Sequence, residues 1–223
     1  MLLKKDLTRE FRTREMITSM GVYALLVLIV YGAALSQAST QLDIMQMSGG
    51  LLWALFVFTS LLGLNRSFSY EKDNGALDGI LLAPVDRGAF FLAKATSNCL
   101  FMLIVEVIAT PLFYFFFLTN QEFPPNFFMI VIPILVGTVG MAAVGTLLST
   151  ITANTRGRDV MLAVLFIPLI FPLLYACVSA TTVILMGDPS FMDVFVPSLG
   201  VAAGYDVVMT LLSWVLYDFV VSA

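Results

Sequence analysis

The stretch FFMIVIPILVGTVGMAAVGTLLSTIT, residues 127–152, contains no charged side chain from end to end. A helix needs about 20 predominantly apolar residues to cross the hydrocarbon of a bilayer. Apolar stretches on both sides of this segment predict five more spans, at 16–37, 48–65, 94–118, 159–186 and 198–221. The sequence therefore predicts an all-α membrane protein with six transmembrane helices, organised as a single domain over residues 1–223.

Composition supports this fold class and excludes several kinds of chemistry. Apolar residues make up 60% of the chain and charged residues 12%, whereas charged residues are about a quarter of a soluble domain. The chain has no histidine, which excludes histidine-ligated haem or zinc within it. Cys99 and Cys177 both fall inside predicted spans, so we expect neither a disulfide nor a cysteine metal site. We predict no metal and no cofactor bound in this chain.

Enzymatic motifs are also missing. No Gly-rich phosphate loop followed by Lys and Ser or Thr is present, so the chain does not bind ATP in the P-loop manner. No Ser or Cys nucleophile has a plausible activating partner. We predict that the chain is not an enzyme by itself, and that any ATP hydrolysis belongs to another subunit.

The basic residues predict the orientation. All eleven lysines and arginines fall in three patches, Lys4 to Arg14, Arg66 to Lys94, and Arg156 to Arg158. Basic residues accumulate on the cytoplasmic side of a membrane. The remaining connections carry acids and no base. With six spans and a basic start, both termini are predicted to be cytoplasmic.

The amino terminus, residues 1–15, predicts an amphipathic helix on the inner membrane surface. Leu3, Leu7 and Phe11 recur every four residues and form one side of a helix, with cations over the rest. Two interpretations stay open. The segment is either a positive-inside topology signal or a connecting helix that packs on a cytoplasmic partner.

Prolines interrupt two of the predicted spans. Pro111 lies in the third span, and Pro168 and Pro172 lie in the fifth. Because proline removes a backbone hydrogen bond and clashes with the preceding turn, we expect kinks at these sites. The fifth span, which leads into Gly187-Asp188-Pro189, is a candidate for an outright break.

Small residues predict sites of close helix packing. Gly200 and Gly204 form a GxxxG pair in the sixth span, and Gly137, Gly140 and Gly145 crowd the fourth. Glycine lets helix backbones approach closely, within a subunit or between subunits. For the Gly200 and Gly204 pair we favour packing within the chain.

Three acids are predicted to lie at membrane depth. Glu106 is near the middle of the third span, and Asp206 and Asp218 lie in the sixth. An ionised carboxylate at the bilayer centre costs about 2.5–3.5 kcal/mol on insertion scales. Such groups therefore face a partner helix, water or a cavity, or are protonated. Glu106 is the best candidate for a functional intramembrane group, against a purely structural hydrogen-bonding role. Asp206 is a second candidate, next to a possible polar vestibule, and Asp218 is expected to be interfacial.

The connection between the second and third spans, residues 66–94, is the densest polar segment. Asp73 or Asn74 is suited to cap a short helix over 76–83, and Pro84 ends it. Leu77, Ile80 and Leu81 share one side of that helix, and Asp78 lies on another. The pattern favours insertion into a groove on a soluble partner. The alternative is a surface helix resting on lipid.

This inner loop also carries a family resemblance. It is similar to the CcmB family, the haem exporter B proteins of bacterial cytochrome c maturation, over residues 50 to about 98. The residues that carry the resemblance are Gly50 to Ala54, Ser60 to Phe68, Glu71, Gly75 to Asp78, Leu81 to Arg87, Ala93-Lys94 and Asn98. The inner-loop run Asn154 to Arg158 and the proline-containing stretch Ile167 to Pro172 support it further along the chain.

The resemblance implies the permease subunit of an ABC-2, or type V, exporter in a bacterial inner membrane. In such transporters two permeases pair with two copies of a separate ATPase, which binds ATP and Mg. The short cytoplasmic helix serves as the coupling helix. By that analogy the ATPase-coupling residues are Glu71, Leu77, Asp78, Ile80, Leu81 and Arg87.

The same resemblance implies the partners. They are a CcmA-like ATPase, CcmC-like and CcmD-like membrane subunits, and a CcmE-like haem chaperone, besides membrane lipid; no nucleic acid is expected. Haem is a possible substrate of the complex, which either exports haem or releases haem-loaded chaperone. Two alternatives remain. One is an ABC-2 permease for a lipid, drug or polysaccharide, and the other is a non-transporting membrane scaffold for the ATPase.

Overall fold

The chain is described from a computed structural model, which covers residues 2–36, 44–73, 87–118, 124, 126–153, 155 and 157–222. Within those residues the secondary structure is entirely helical. Six of the helices are long and apolar enough to cross a membrane, which confirms the predicted fold class. The helices are α1 (Leu2–Thr13), α2 (Glu15–Ser36), α3 (Ile44–Asp73), α4 (Arg87–Phe117), α5 (Val131–Thr152), α6 (Arg158–Leu185) and α7 (Met192–Ser222), and a short 3-10 turn (Phe127–Ile130) leads into α5.

Several helices are longer than the predicted spans. α3 extends beyond 48–65 at both ends, α4 begins at Arg87 rather than at 94, and α7 begins at Met192 rather than at 198. A predicted span ends where apolar residues stop, whereas a helix ends where its backbone hydrogen bonds stop. Helices that continue into the polar region outside the bilayer are therefore longer than their hydrophobic cores.

The possible break in the fifth span does not occur. α6 is continuous from Arg158 to Leu185, with Pro168 and Pro172 inside it. Each proline removes only one backbone hydrogen bond, and in a bundle neighbouring helices hold such a segment in place. Between the two prolines, the Leu169 carbonyl accepts a hydrogen bond of 2.7 Å from the Tyr205 hydroxyl of α7. The chain turns only after Leu185, where Gly187 has a φ of 66°.

α5 lies at the centre of the bundle, packed against α3, α4, α6 and α7. Its glycines make this possible. A methyl group at Gly137 would collide with the Trp53 ring of α3, one at Gly145 with Leu64 of α3, and one at Gly140 with the Asp206 carboxylate of α7. The neighbouring helices thus insert large or polar side chains where α5 has no Cβ.

Trp53 also fixes α3 to α6. Its ring is 1% exposed, and its indole Nε1 donates a hydrogen bond of 2.9 Å to Thr181 Oγ1. A buried indole N–H needs such a partner, since water cannot replace it there. The Trp53 side chain therefore contacts both α5 and α6.

α1 and α2 meet at a sharp corner. Arg14 joins them in the left-handed region, with a φ of 54°. Glu10 Oε1 accepts hydrogen bonds from the backbone N–H groups of Met16 and Ile17, at 2.8 and 2.9 Å. These N–H groups belong to the first turn of α2 and have no partner within the helix. A carboxylate also suits the positive end of a helix, so Glu10 holds the corner closed.

Candidate functional site

The structure describes the two helices that flank the inner loop, α3 and α4. The predicted coupling residues Leu77, Asp78, Ile80 and Leu81 lie outside the described residues. Glu71 is in the last turn of α3, and its side chain is also outside the described part. The loop leaves α3 at Asp73 and returns at Arg87, the first residue of α4.

Arg87 connects the start of α4 to the end of α7. Its Nη1 lies 3.0 Å from Asp218 Oδ1 and 3.3 Å from the Asp218 carbonyl oxygen. One residue later, Gly88 packs so closely on the Trp214 indole of α7 that a methyl group would collide with it. The two side chains of the ion pair are 36% and 68% exposed, and exposed pairs contribute about 0–1 kcal/mol to stability. The pair therefore orients α4 more than it stabilises the fold.

A second ion pair fixes α4 to α1. Lys94 Nζ lies 3.5 Å from Asp6 Oδ2, and the two side chains are only 2% and 8% exposed. Removing one partner from a buried pair leaves an uncompensated charge, which costs about 3–5 kcal/mol. α1 is thus held to α4 by Asp6 and to α2 by Glu10. Leu7 is partly buried against the core, whereas Leu3 and Phe11 have no described side chains.

Sequence reasoning missed Asp6 and Glu10. The apolar residues and the cations predict the helix without any role for these two acids. A signal was nevertheless present, because Asp6 and Glu10 are spaced by four residues and so share one side of α1. That side faces the protein: Asp6 is 6% and Glu10 2% exposed.

Glu106 is buried at the contact between α4 and α5, with 1% exposure. Its Oε2 is hydrogen-bonded to Thr138 Oγ1 of α5. One turn further along α4, Thr110 Oγ1 donates a hydrogen bond of 2.7 Å to the Glu106 backbone carbonyl oxygen. The other carboxyl oxygen, Oε1, has no hydrogen-bond partner among the described residues.

Asp206 reaches α5 from α7. It is 8% exposed, and it lies against Gly140 of α5 rather than in an open vestibule. Its Oδ1 has no hydrogen-bond partner in the described part of the chain. Thr138 and Gly140 are two residues apart, which places them about 200° apart around α5. The two acids therefore contact different sides of α5 and do not form a carboxylate pair.

The comparisons with known proteins identify the family. The family model described as CcmB protein matches residues 1–215. This chain belongs to the CcmB family. Two proteins named Heme exporter protein B illustrate the similarity. The one from Pseudomonas aeruginosa is 25% identical over 190 residues, which is 85% of this chain and 83% of the relative.

A second Heme exporter protein B, from Rhodobacter capsulatus, is 27% identical over 130 residues. That match covers 58% of this CcmB-family chain and 58% of the relative. The similarity to this relative thus spans little more than half of either protein, whereas the family match covers nearly all of this chain.

The Gly200 and Gly204 pair of this CcmB-family chain departs from expectation. Among the described residues, no atom of another helix lies within 4 Å of where a Cβ would stand at either glycine. Packing of this pair within the chain, the favoured version, is therefore wrong for the described part. α7 instead packs through residues such as Ala202 and Asp206, on the other side of the helix. Packing of the two glycines between subunits stays a prediction.

Proposed function

We propose that this chain is the permease subunit of an ABC transporter complex that handles haem in cytochrome c maturation. The match of the CcmB family over residues 1–215 carries the proposal, and the relatives named Heme exporter protein B supply the substrate. The positions of the basic residues support an orientation with both termini in the cytoplasm. The family resemblance supports the bacterial inner membrane.

ATP hydrolysis is assigned to a CcmA-like partner, which binds ATP and Mg, because this chain lacks a phosphate loop. The connection over residues 66–94 is the proposed contact with that ATPase. The geometry of the flanking helix supports a coupling role. Between Arg87 and Lys94, α4 is linked to α7 through Asp218 and to α1 through Asp6. A displacement of the loop would therefore move three helices together.

The work done with ATP is haem handling on the outer side of the membrane. The complex contains CcmC-like and CcmD-like subunits, two copies of this permease, and a CcmE-like chaperone. ATP-driven movement of the permease either passes haem or releases haem-loaded chaperone from the CcmC-like subunit. In both versions this chain itself holds no cofactor.

Purification of the native complex tests the assignment. The carboxyl terminus is tagged, the complex is extracted in mild detergent, and co-purifying chains and haem absorbance are recorded. An ATPase arriving together with a CcmC-like protein supports haem handling. An ATPase without haem-handling partners would indicate another substrate, such as a lipid, drug or polysaccharide. No ATPase at all would contradict the coupling role.

Leu77→Asp tests the coupling helix directly. A charge on the apolar side of a short helix opposes its burial in a partner groove, so we expect loss of the ATPase from the purified complex and loss of cytochrome c assembly. Leu77→Met keeps the apolar character and is the matched control. If Leu77→Asp retains both the ATPase and cytochrome c assembly, the coupling assignment is wrong.

Arg87→Ala separates coupling from scaffolding. Because the two side chains are 36% and 68% exposed, loss of the pair should leave folding intact. Asp218→Ala also keeps Arg87 in the loop and should therefore retain the ATPase. A coupling permease would nevertheless lose cytochrome c assembly, since α4 would no longer be oriented on α7. Unchanged assembly in Arg87→Ala and in Asp218→Ala would favour a passive scaffold.

A further inference from the structure

A row of buried polar side chains runs along α4. Lys94, Asn98, Glu106 and Thr110 follow one another in steps of four or eight residues, with Met102 at the remaining step. All five are buried, with exposures between 0% and 7%. Side chains four residues apart lie along one ridge of a helix. Since apolar residues would serve packing in a membrane equally well, a polar row at this depth needs a chemical reason.

The partners of this row form a polar seam between α4 and its neighbours. At one end Lys94 pairs with Asp6. Further along α4, Asn98 Nδ2 donates a hydrogen bond of 3.0 Å to Thr146 Oγ1 of α5. Glu106 is hydrogen-bonded to Thr138 of the same helix, α5. The two contacts to α5 are eight residues apart on each helix, as expected for antiparallel helices. Glu106 lies about 18 Å along the axis from Lys94, which is more than half of the hydrocarbon thickness.

Three oxygen atoms in the seam lack hydrogen-bond partners among the described residues. They are Asn98 Oδ1, Glu106 Oε1 and Ser149 Oγ, and Ser149 lies one turn from Thr146 on α5. Buried polar atoms without a protein partner are normally satisfied by internal water. Internal water bound to these oxygen atoms would lie between the Asp6 and Lys94 pair and Glu106.

The contacts of Thr138 fit a protonated Glu106. Thr138 Oγ1 is within hydrogen-bonding distance of Glu106 Oε2 and of the Ile134 carbonyl oxygen, the latter at 2.6 Å. A hydroxyl has one hydrogen, and both a carboxylate and a carbonyl only accept. If each contact is a full two-centre hydrogen bond, Glu106 is a carboxylic acid that donates to Thr138, which in turn donates to Ile134.

Among the described residues, no basic side chain lies near Glu106 to favour its ionised form. In the described parts of the helices packed against α4, the titratable side chains at membrane depth are Tyr23 and Tyr31 of α2, and Tyr205, Asp206 and Tyr217 of α7; Cys99 and Tyr114 lie on α4 itself. Lys94 is at the far end of the seam and is already paired with Asp6.

We propose that Glu106 is a proton-binding site inside the membrane, reached through the polar seam from the Lys94 end of α4. The ligand is the proton itself. Thr138 positions the protonated acid, and Asn98, Thr146 and internal water connect it to the basic end. This site is independent of the haem assignment. It would exist equally in a permease for another substrate.

Infrared spectroscopy of the full chain in lipid nanodiscs tests whether the Glu106 carboxyl group is protonated. The carbonyl band of a protonated carboxylic acid should be present at neutral pH and lost in Glu106→Gln. Its position should change in Thr138→Val and be kept in Thr138→Ser. Asp206→Asn removes the other buried acid of the described spanning segments and identifies any band that Asp206 contributes. No difference between the parent protein and Glu106→Gln at neutral pH would overturn the proposal.

Transfer to heavy water tests the access route. Exchange of the acid proton shifts the Glu106 band, so its rate reports how readily the site is reached. We expect Asn98→Leu and Thr146→Val to slow the exchange by about tenfold, which corresponds to about 1.4 kcal/mol of added barrier. Thr110→Val removes a polar group beyond Glu106 and should leave the rate unchanged. Size-exclusion chromatography checks that Asn98→Leu and Thr146→Val are folded. If both are folded and the exchange rate is unchanged in both, the seam is not the route.

Discussion

Single residues on α5 and α7 show why glycine content alone does not locate helix contacts. Gly137, Gly140 and Gly145 each receive a side chain from another helix, whereas Gly200 and Gly204 have open space around them. All five are small residues in membrane spans. Their roles differ because α5 is surrounded by helices, while the Gly200 side of α7 has no neighbour in the described part of the chain.

Gly140→Ala and Gly204→Ala form a matched pair of variants. The added methyl group at Gly140 would collide with Asp206 and Leu173, and overpacking of this kind typically costs about 1–3 kcal/mol. At Gly204 the same change should be neutral or stabilising by up to about 1 kcal/mol, because alanine is the better helix former. Unfolding of the purified variants in mixed micelles measures the change in the free energy of unfolding for each substitution. Equal effects at the two positions would contradict the packing described for α5.

At the scale of elements, α1 is a docked helix and not only a surface segment. Its acids face the protein, where Asp6 pairs with Lys94 and Glu10 caps α2, while Arg12 and Arg14 are exposed. The acids therefore fix the position of α1, and the exposed cations remain available for anionic lipid or a partner. This arrangement fits both interpretations of the amino terminus.

The docking of α1 predicts a specific pattern of stability. Lys94→Met leaves Asp6 as an unpaired buried charge, so we expect a loss of about 3–5 kcal/mol. The double variant Asp6→Leu with Lys94→Met removes both charges and should recover most of that loss, since apolar replacement of a buried pair is often neutral. Denaturation of the parent, single and double variants in the same detergent gives the comparison. A double variant no more stable than Lys94→Met would show that Asp6 and Lys94 are not energetically coupled.

At the scale of the whole molecule, the described charged ends divide into a basic and an acidic group. Arg87 and Lys94 lie at the end of α4 that pairs with Asp218 and Asp6. The connection between α6 and α7 carries Asp188, the first turn of α7 carries Asp193, and neither contains a base. In that connection Ser190 donates hydrogen bonds to Asp188 Oδ1 from its N–H and its hydroxyl, and these bonds hold the pKa of Asp188 below its ordinary value. Asp188 therefore stays ionised at neutral pH, as suits a water-exposed connection.

Orientation is tested by cysteine labelling. In a chain with Cys99 and Cys177 replaced by alanine, Asp193→Cys should react with a membrane-impermeant maleimide in intact spheroplasts. Thr155→Cys should react only after permeabilisation, because its connection carries Arg156 and Arg158. Both positions are exposed in the structure. The reverse labelling pattern would invert the topology and place the proposed coupling loop on the outer side.

The sequence by itself determined the all-α class, the six spans, the inner loop as the distinctive segment, and the presence of buried acids. These features depend on the transfer free energy of successive residues into a bilayer, which can be read along the chain. The family match then confirmed the resemblance seen in that loop.

Which side chains contact one another follows from the tertiary structure. The pairing of Asp6 with Lys94, the insertion of Trp53 against Gly137, and the separation of Glu106 from Asp206 around α5 depend on how each helix is rotated. Lipid is as apolar as the bundle interior, so no hydrophobic preference along a span reveals which side turns inward. Helix rotation in this protein is instead set by close packing and buried hydrogen bonds between residues far apart in the chain.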